Sequence, residues 1–382
     1  MPLLRLVLLL SSLLNLAAAD PARMFAVPGL PADPARIDWA QLPVVRSERA
    51  VVFRARPGQA DYNMHGYLAR HGGRLWAVWS SGREFEDTAG QQVRFATSAD
   101  GLTWSESGLV VAADPDGDWR YIARGLWVRN GELLALAARD DAWTVVNGVR
   151  EKGKYFGPHL ELHAFRLNAA GDGWEPAGVV LDDTINNYHP QQLPSGEWLM
   201  SRRDQHKTVT MALGGVRALD DWRILPLAKA ADGHEMSEPC WWALPDGRLA
   251  MLFRDNDTSF RLYRSFSQDQ GRTWSPPVRT DFPDGRAKSN VLRLRDGRYA
   301  LVNNPQPGAA RIPLCLSLSD DGVVFTRMSV LLGEPTAART PNPSKRAGYQ
   351  YPHLVEAGEH LFVIYARNQE DIELLRIRVA DL

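Results

Sequence analysis

Side chains able to do chemistry recur where short apolar runs begin. Asn63 and His65, Arg124, Asn186, Asn187 and His189, Glu238, Asn290, and Tyr351 and His353 each stand at such a start. Brought to one axis, they would form a polar pocket of carbohydrate size, with a few convergent groups orienting a hydroxylated ligand. The competing expectation is that they hydrogen-bond one another around a water-filled channel. His65, His189 and His353 would also suit a metal. They fall in separate runs with no ligand spacing, so neither metal nor cofactor is expected.

The elements that would bring these groups together are legible as a repeat. Long helical periodicity is absent, and short alternating apolar runs are bounded by Gly, Asp, Asn or Pro. Six times an apolar run, a tight turn and a second run follow one another. The turns are Gly72-Gly73, Asn130-Gly131, Ser195-Gly196, Asp246-Gly247, Asp296-Gly297 and Gly358-Glu359, spaced 50 to 65 residues apart. Such pairs accept the positive φ that two-residue hairpin loops demand. A second motif runs out of phase. Ser98-Ala99-Asp100-Gly101-Leu102-Thr103-Trp104 and Ser267–Trp274 are clear copies, Ser319–Phe325 is a third, and Gly171–Trp174 and Asp220–Trp222 are decayed ones. In each, Asp and Ser would bond turn backbone, Gly would take the left-handed conformation, and the aromatic would pack beneath. Six units of about four strands predict an all-β, six-bladed β-propeller. A seven-bladed ring would need a blade hidden near 140–185.

Composition sets the outer bounds. The chain has 382 residues, 23% charged, with a net charge of −1, which argues against a nucleic-acid binder. Arg5, the apolar stretch Leu6–Leu16 and Ala17-Ala18-Ala19 read as a signal peptide cleaved after Ala19, giving a secreted or periplasmic protein with no stable membrane span. Residues 20–50 read as an irregular lead-in and 51–382 as one propeller. Cys240 and Cys315 read as buried thiols rather than a disulfide pair.

Those motifs together resemble the sialidase superfamily, whose usual signature is the aspartate box quoted above. More specific is the order Ser237-Glu238-Pro239, Leu244-Pro245-Asp246-Gly247-Arg248-Leu249, Phe253-Arg254-Asp255 and the box at 267–274. Asn304-Pro305 with Arg311, the segment Tyr351-Pro352-His353-Leu354, and Gly82-Arg83 with Asp87 are similar to further family segments. The resemblance implies an exo-glycoside hydrolase that removes a terminal acidic sugar from glycoconjugates. It implies Tyr351 as nucleophile, Glu238 as the group that activates it, Asp87 as acid/base, and Arg254 and Arg311 as carboxylate ligands. A tyrosine suits this task, because a carboxylate nucleophile would be repelled by the sugar's own carboxylate.

One departure matters. The family's first-blade arginine falls at Asn63-Met64-His65, and Arg54 and Arg56 stand about ten residues too early. His65 would then take its place, assisting when protonated at low pH, with Arg124 and His353 as further substrate contacts. A histidine beside a tyrosine would equally serve proton abstraction next to a uronate carboxylate, which is lyase chemistry. A propeller that only binds glycan is the third alternative.

Overall fold

A computed structural model describes residues 20–382 except positions 32, 57, 84, 85, 87, 115–118, 142, 147, 148, 153–155, 309 and 341–344. The expected signal segment and Asp87 lie outside the described residues. Six antiparallel sheets of four strands or slightly more stand around one axis as a six-bladed propeller. The innermost strands are Tyr62–His71, Arg120–Arg129, the broken pair Ile185–Asn186 and Gln191–Gln192, Met236–Ala243, Asn290–Arg293 and Tyr349–Ala357. Each leads through one of the six expected turns into the second strand of its blade. The turn residues Asn130 and Gly131 both have positive φ, at 51° and 84°, which is why Asn-Gly stands there. The long interval near 140–185 holds a two-stranded hairpin, Trp143–Val146 with Val149–Lys152, inserted within blade two rather than a seventh blade.

The ring closes through the first strand. Glu48–Phe53 pairs with Asp371–Arg378 as the outermost strand of blade six. Residues before it strap the outer edges of neighbouring blades. The amides of Met24 and Phe25 donate to Asp281 on blade four, and Val44 bridges Val330 on blade five.

The out-of-phase boxes join the third and fourth strands of their blades and pin their own turns. Asp100 accepts from the amides of Leu102 and Thr103 at 2.8 and 2.9 Å, and Trp104 Nε1 donates to Gly101 O at 3.0 Å. Asp269 and Trp274 repeat that pattern. The boxes also bind blades together. A Cβ on Gly271 would lie 2.5 Å from Leu199 on blade three, and one on Gly101 2.4 Å from Phe362 on blade six. Trp174 on blade two meets Trp76 on blade one edge-on at 5.8 Å, and Trp222 meets Trp127 at 6.0 Å. These four tryptophans therefore serve blade packing. Cys240 and Cys315 are separate buried thiols. Among the described residues no helix is long and apolar enough to cross a membrane.

Candidate active site

Four inner strands break their register near their starts, between Met64 and Tyr67, Ala123 and Gly125, Ser237 and Cys240, and Gln350 and His353. A bulge re-aims one side chain out of the ladder. The residues it frees are His65, Arg124, Glu238 and Tyr351. His65, Glu238 and Tyr351 sit at φ of 57°, 47° and 55°, a region that non-glycine residues avoid. Such strain persists where the surroundings over-determine it, and it concentrates at functional sites. All four side chains line one axial cavity of ≈ 300 Å³, together with Glu86, Arg120, Phe156, Arg203, Lys207, Glu235 and Arg254.

Arg254 ties the centre together. Its Nη1 donates to Glu238 Oε2 at 2.7 Å and to the Tyr351 hydroxyl at 3.3 Å. Glu238 and Tyr351 thus meet through a shared guanidinium. Burial pushes the Tyr351 phenol up to about 12, Glu238 adds to that, and Arg254 opposes it. Burial also works against the Glu238 charge, yet Arg254, with Arg203 and Lys288, holds that carboxyl well below the usual range. Arg254 keeps its Nε buried without a hydrogen-bond partner.

Arg311 lies over the Tyr351 ring, with its guanidinium carbon 4.9 Å from the centroid, and donates to Gln350 at 3.1 Å. Its loop is clamped by Asn304, whose Nδ2 reaches the carbonyls of Arg311, Pro313 and Tyr349 at 3.0, 3.1 and 3.0 Å. Lys288, buried below, donates to the Tyr67 hydroxyl at 2.8 Å and stands 5.7 Å from the Tyr351 ring centre.

His65 stands edge-on to Tyr351 at 5.3 Å, where the family's first arginine was expected. Ser80 Oγ accepts from the Ala123 amide and lies 3.1 Å from His65 Nδ1, which leaves Nε2 facing Glu86 at 3.4 Å. Burial lowers the His65 pKa and outweighs Glu86, so the imidazole is neutral at pH 7. The expected cationic aid at low pH is therefore set back by desolvation. Arg54 pairs with Asp371 on blade six, and Arg56 bridges Ala60. Neither lines the cavity.

His353 is placed differently from its expected role as a substrate contact. It lies away from the cavity, packed against Tyr67, Tyr188 and His189, and its Nδ1 accepts from the Leu68 amide at 3.1 Å. Burial takes His189 to about 4 and His353 well below its ordinary value. The three histidines do not gather: His65 is in the cavity and the other two are beneath it.

Arg203 and Lys288 were not singled out from the sequence. A signal for Arg203 was present. Ser80, Arg203, Arg254 and Asn304 each stand seven residues after a turn glycine, at Gly73, Gly196, Gly247 and Gly297. At that repeat phase Arg203 and Arg254 line the cavity, while Ser80 and Asn304 support residues around it.

Comparisons agree with this architecture. A family model described as a BNR repeat-like domain matches residues 184–364. A solved sialidase is 22% identical, with a TM-score of 0.67 over 94% of this chain. The chain spans only 35% of that sialidase's length. A leech intramolecular trans-sialidase, complexed with 2,7-anhydro-Neu5Ac, is 14% identical with a TM-score of 0.65, over 88% of this chain and 71% of its own. A Trypanosoma rangeli sialidase, complexed with 2,3-difluorosialic acid as a covalent intermediate, is 12% identical with a TM-score of 0.64, over 89% and 60%. A search of curated proteins finds no match. At these identities the likeness is one of fold: the chain is a sialidase-like six-bladed propeller, with a BNR repeat-like match confined to residues 184–364.

Proposed function

We propose that this protein is an exported, sialidase-like glycoside hydrolase that removes a terminal acidic sugar through a covalent intermediate on Tyr351. The observation that carries the reading is the Arg254 guanidinium shared between Glu238 and Tyr351 inside the axial cavity. In the unliganded pocket Tyr351 is a neutral phenol and Glu238 a charge-paired carboxylate. A sugar carboxylate would engage Arg254 and Arg311 through planar, charge-assisted bonds. That competes for Arg254 and leaves Glu238 less stabilised as an anion, hence more basic toward the phenol. Substrate binding would thus arm the nucleophile. Tyr351 then attacks the anomeric carbon while a general acid protonates the leaving oxygen. Asp87 is the proposed acid, and the same residue would later deprotonate the attacking water.

The test is turnover of a fluorogenic sialoside. Tyr351→Phe is expected to lower kcat/KM by about 10³-fold, and Arg254→Gln by about 10²-fold, chiefly through KM. Unchanged rates in both variants would overturn the site.

A second reading, elimination on a uronate-containing glycan, is favoured by one observation. Neutral His65 stands beside Tyr351 with its Nε2 toward Glu86. Release of an ultraviolet-absorbing unsaturated uronate, rather than a reducing sugar acid, would select it.

A further inference from the structure

The charges lining the cavity do not balance. Arg120, Arg124, Arg203, Lys207 and Arg254 face Glu86, Glu235 and Glu238. Three of these groups have opposite partners. Arg254 is bonded to Glu238 and Arg120 to Asp140, while Glu86 faces the neutral His65. Arg124 and Arg203 are different. Among the described residues neither guanidinium pairs with a carboxylate, and the Nε of each is buried with no partner. Arg124 is only 3% exposed. Arg203 makes one neutral contact, to Ser237 Oγ at 3.3 Å, and lies 5.6 Å from the centre of the Phe156 ring. Arg124 is a buried cation with no carboxylate in contact, and the part-buried Arg203 has only the longer-range attraction of Glu238, an arrangement that is costly in the free protein. Such cations persist where a ligand supplies the missing anion, and an arginine fork fits the two oxygens of a carboxylate or sulfate.

We propose that Arg124 and Arg203 form a second oxyanion subsite on the blade-two and blade-three wall of the cavity, so that the glycan accepted carries an anionic group there in addition to the one held by Arg254 and Arg311. This rests on the proposed function for the first anion, but the second subsite can be detected without catalysis. Its ligand chemistry is a sulfate ester or a second carboxylate on the terminal sugar or on the residue next to it.

Inorganic sulfate is the first probe. Thermal unfolding is compared in millimolar sodium sulfate and in sodium chloride of equal ionic strength. Wild type is expected to show a saturable, sulfate-specific rise in Tm of about 2 °C or more. Arg254→Gln should keep the rise and Arg124→Gln/Arg203→Gln should lose it. The general salting effect of sulfate is shared by all three proteins and does not saturate. Removing two mutually repelling charges should leave the double variant at or above the wild-type Tm in chloride. Should the double variant not fold, the single variants Arg124→Lys and Arg203→Lys serve, keeping charge but losing the fork, and each should weaken the response. No specific rise in wild type, an equal rise in all variants, or abolition by Arg254→Gln would each overturn the subsite.

The second probe separates the ligands. The ratio of kcat/KM for an O-sulfated sugar acid glycoside over its unsulfated form, and for a two-carboxylate disaccharide over its one-carboxylate form, is measured in wild type and the double variant. At least one ratio should exceed about tenfold in wild type and fall to near one in the variant; ratios near one throughout would overturn the substrate assignment. If no glycoside turns over at all, the hydrolase reading fails while the sulfate result still decides the subsite.

Discussion

At Tyr351, the proposed nucleophile, burial keeps the phenol neutral until about pH 12. An alkaline loss of activity below pH 10 would therefore come from another group. Asp284, buried near Arg254, offers a cleaner pH test. Burial pushes its carboxyl up to about 7, against the pull of Arg254. A carboxyl raised by folding stabilises the native state fully below its unfolded pKa, near 4, and loses that contribution as pH rises through 7. Asp284→Asn is accordingly expected to gain about 2–4 kcal/mol relative to wild type between pH 4 and 8. Denaturant titrations at both pH values check this, and a pH-independent difference would contradict it. At this scale the sequence was partly readable. Glu238, Arg254 and Tyr351 stand at repeat positions, so their type and phase point to the axis. The neutrality of His65 was not readable, since it follows from burial among groups brought in by other blades. Nor was the withdrawal of His353, because a bulge at Tyr351 turns the following residues away from the cavity.

Among the elements, the inner-strand bulges and the aspartate boxes do complementary work. The bulges aim His65, Arg124, Glu238 and Tyr351 inward, and the boxes lock blades one to five each onto the blade before it. Gly271 shows how tightly. Its φ is 80°, and an added Cβ would lie 2.5 Å from Leu199 across the blade interface. Gly271→Ala is expected to cost about 2–3 kcal/mol, from left-handed strain and the forced shift of Leu199. Thermal unfolding measures it, and a neutral effect would contradict the interface role. The boxes were legible because their hydrogen bonds are local: Ser, Asp, Gly and Trp all act within one turn. The bulges were not, because they show only when a strand is laid against its partner.

Over the whole molecule, the ring is closed by a strand drawn from the start of the propeller. Phe53 on that closing strand packs on Trp79 of blade one, with ring centres 5.3 Å apart. Phe53→Ala is expected to cost about 3 kcal/mol and to lower a single cooperative transition, since each blade is stabilised by two neighbours. Calorimetry showing two separate transitions would contradict a closed ring that unfolds as a unit. The number of blades was legible in six turn glycines at roughly even spacing. The closing partner of Glu48–Phe53 was not, since it lies more than 300 residues away in the chain. The hairpin within blade two was equally hidden, because spacing alone does not separate an insertion from an extra blade.

Under the proposed function Tyr351 carries the sugar. Treatment with 2,3-difluorosialic acid followed by intact mass measurement and peptide mapping tests it most directly. One added sugar per chain is expected, on the peptide containing Tyr351 and absent in Tyr351→Phe. Hydrolysis of a sialoside with no adduct, or with an adduct on another residue, would contradict it.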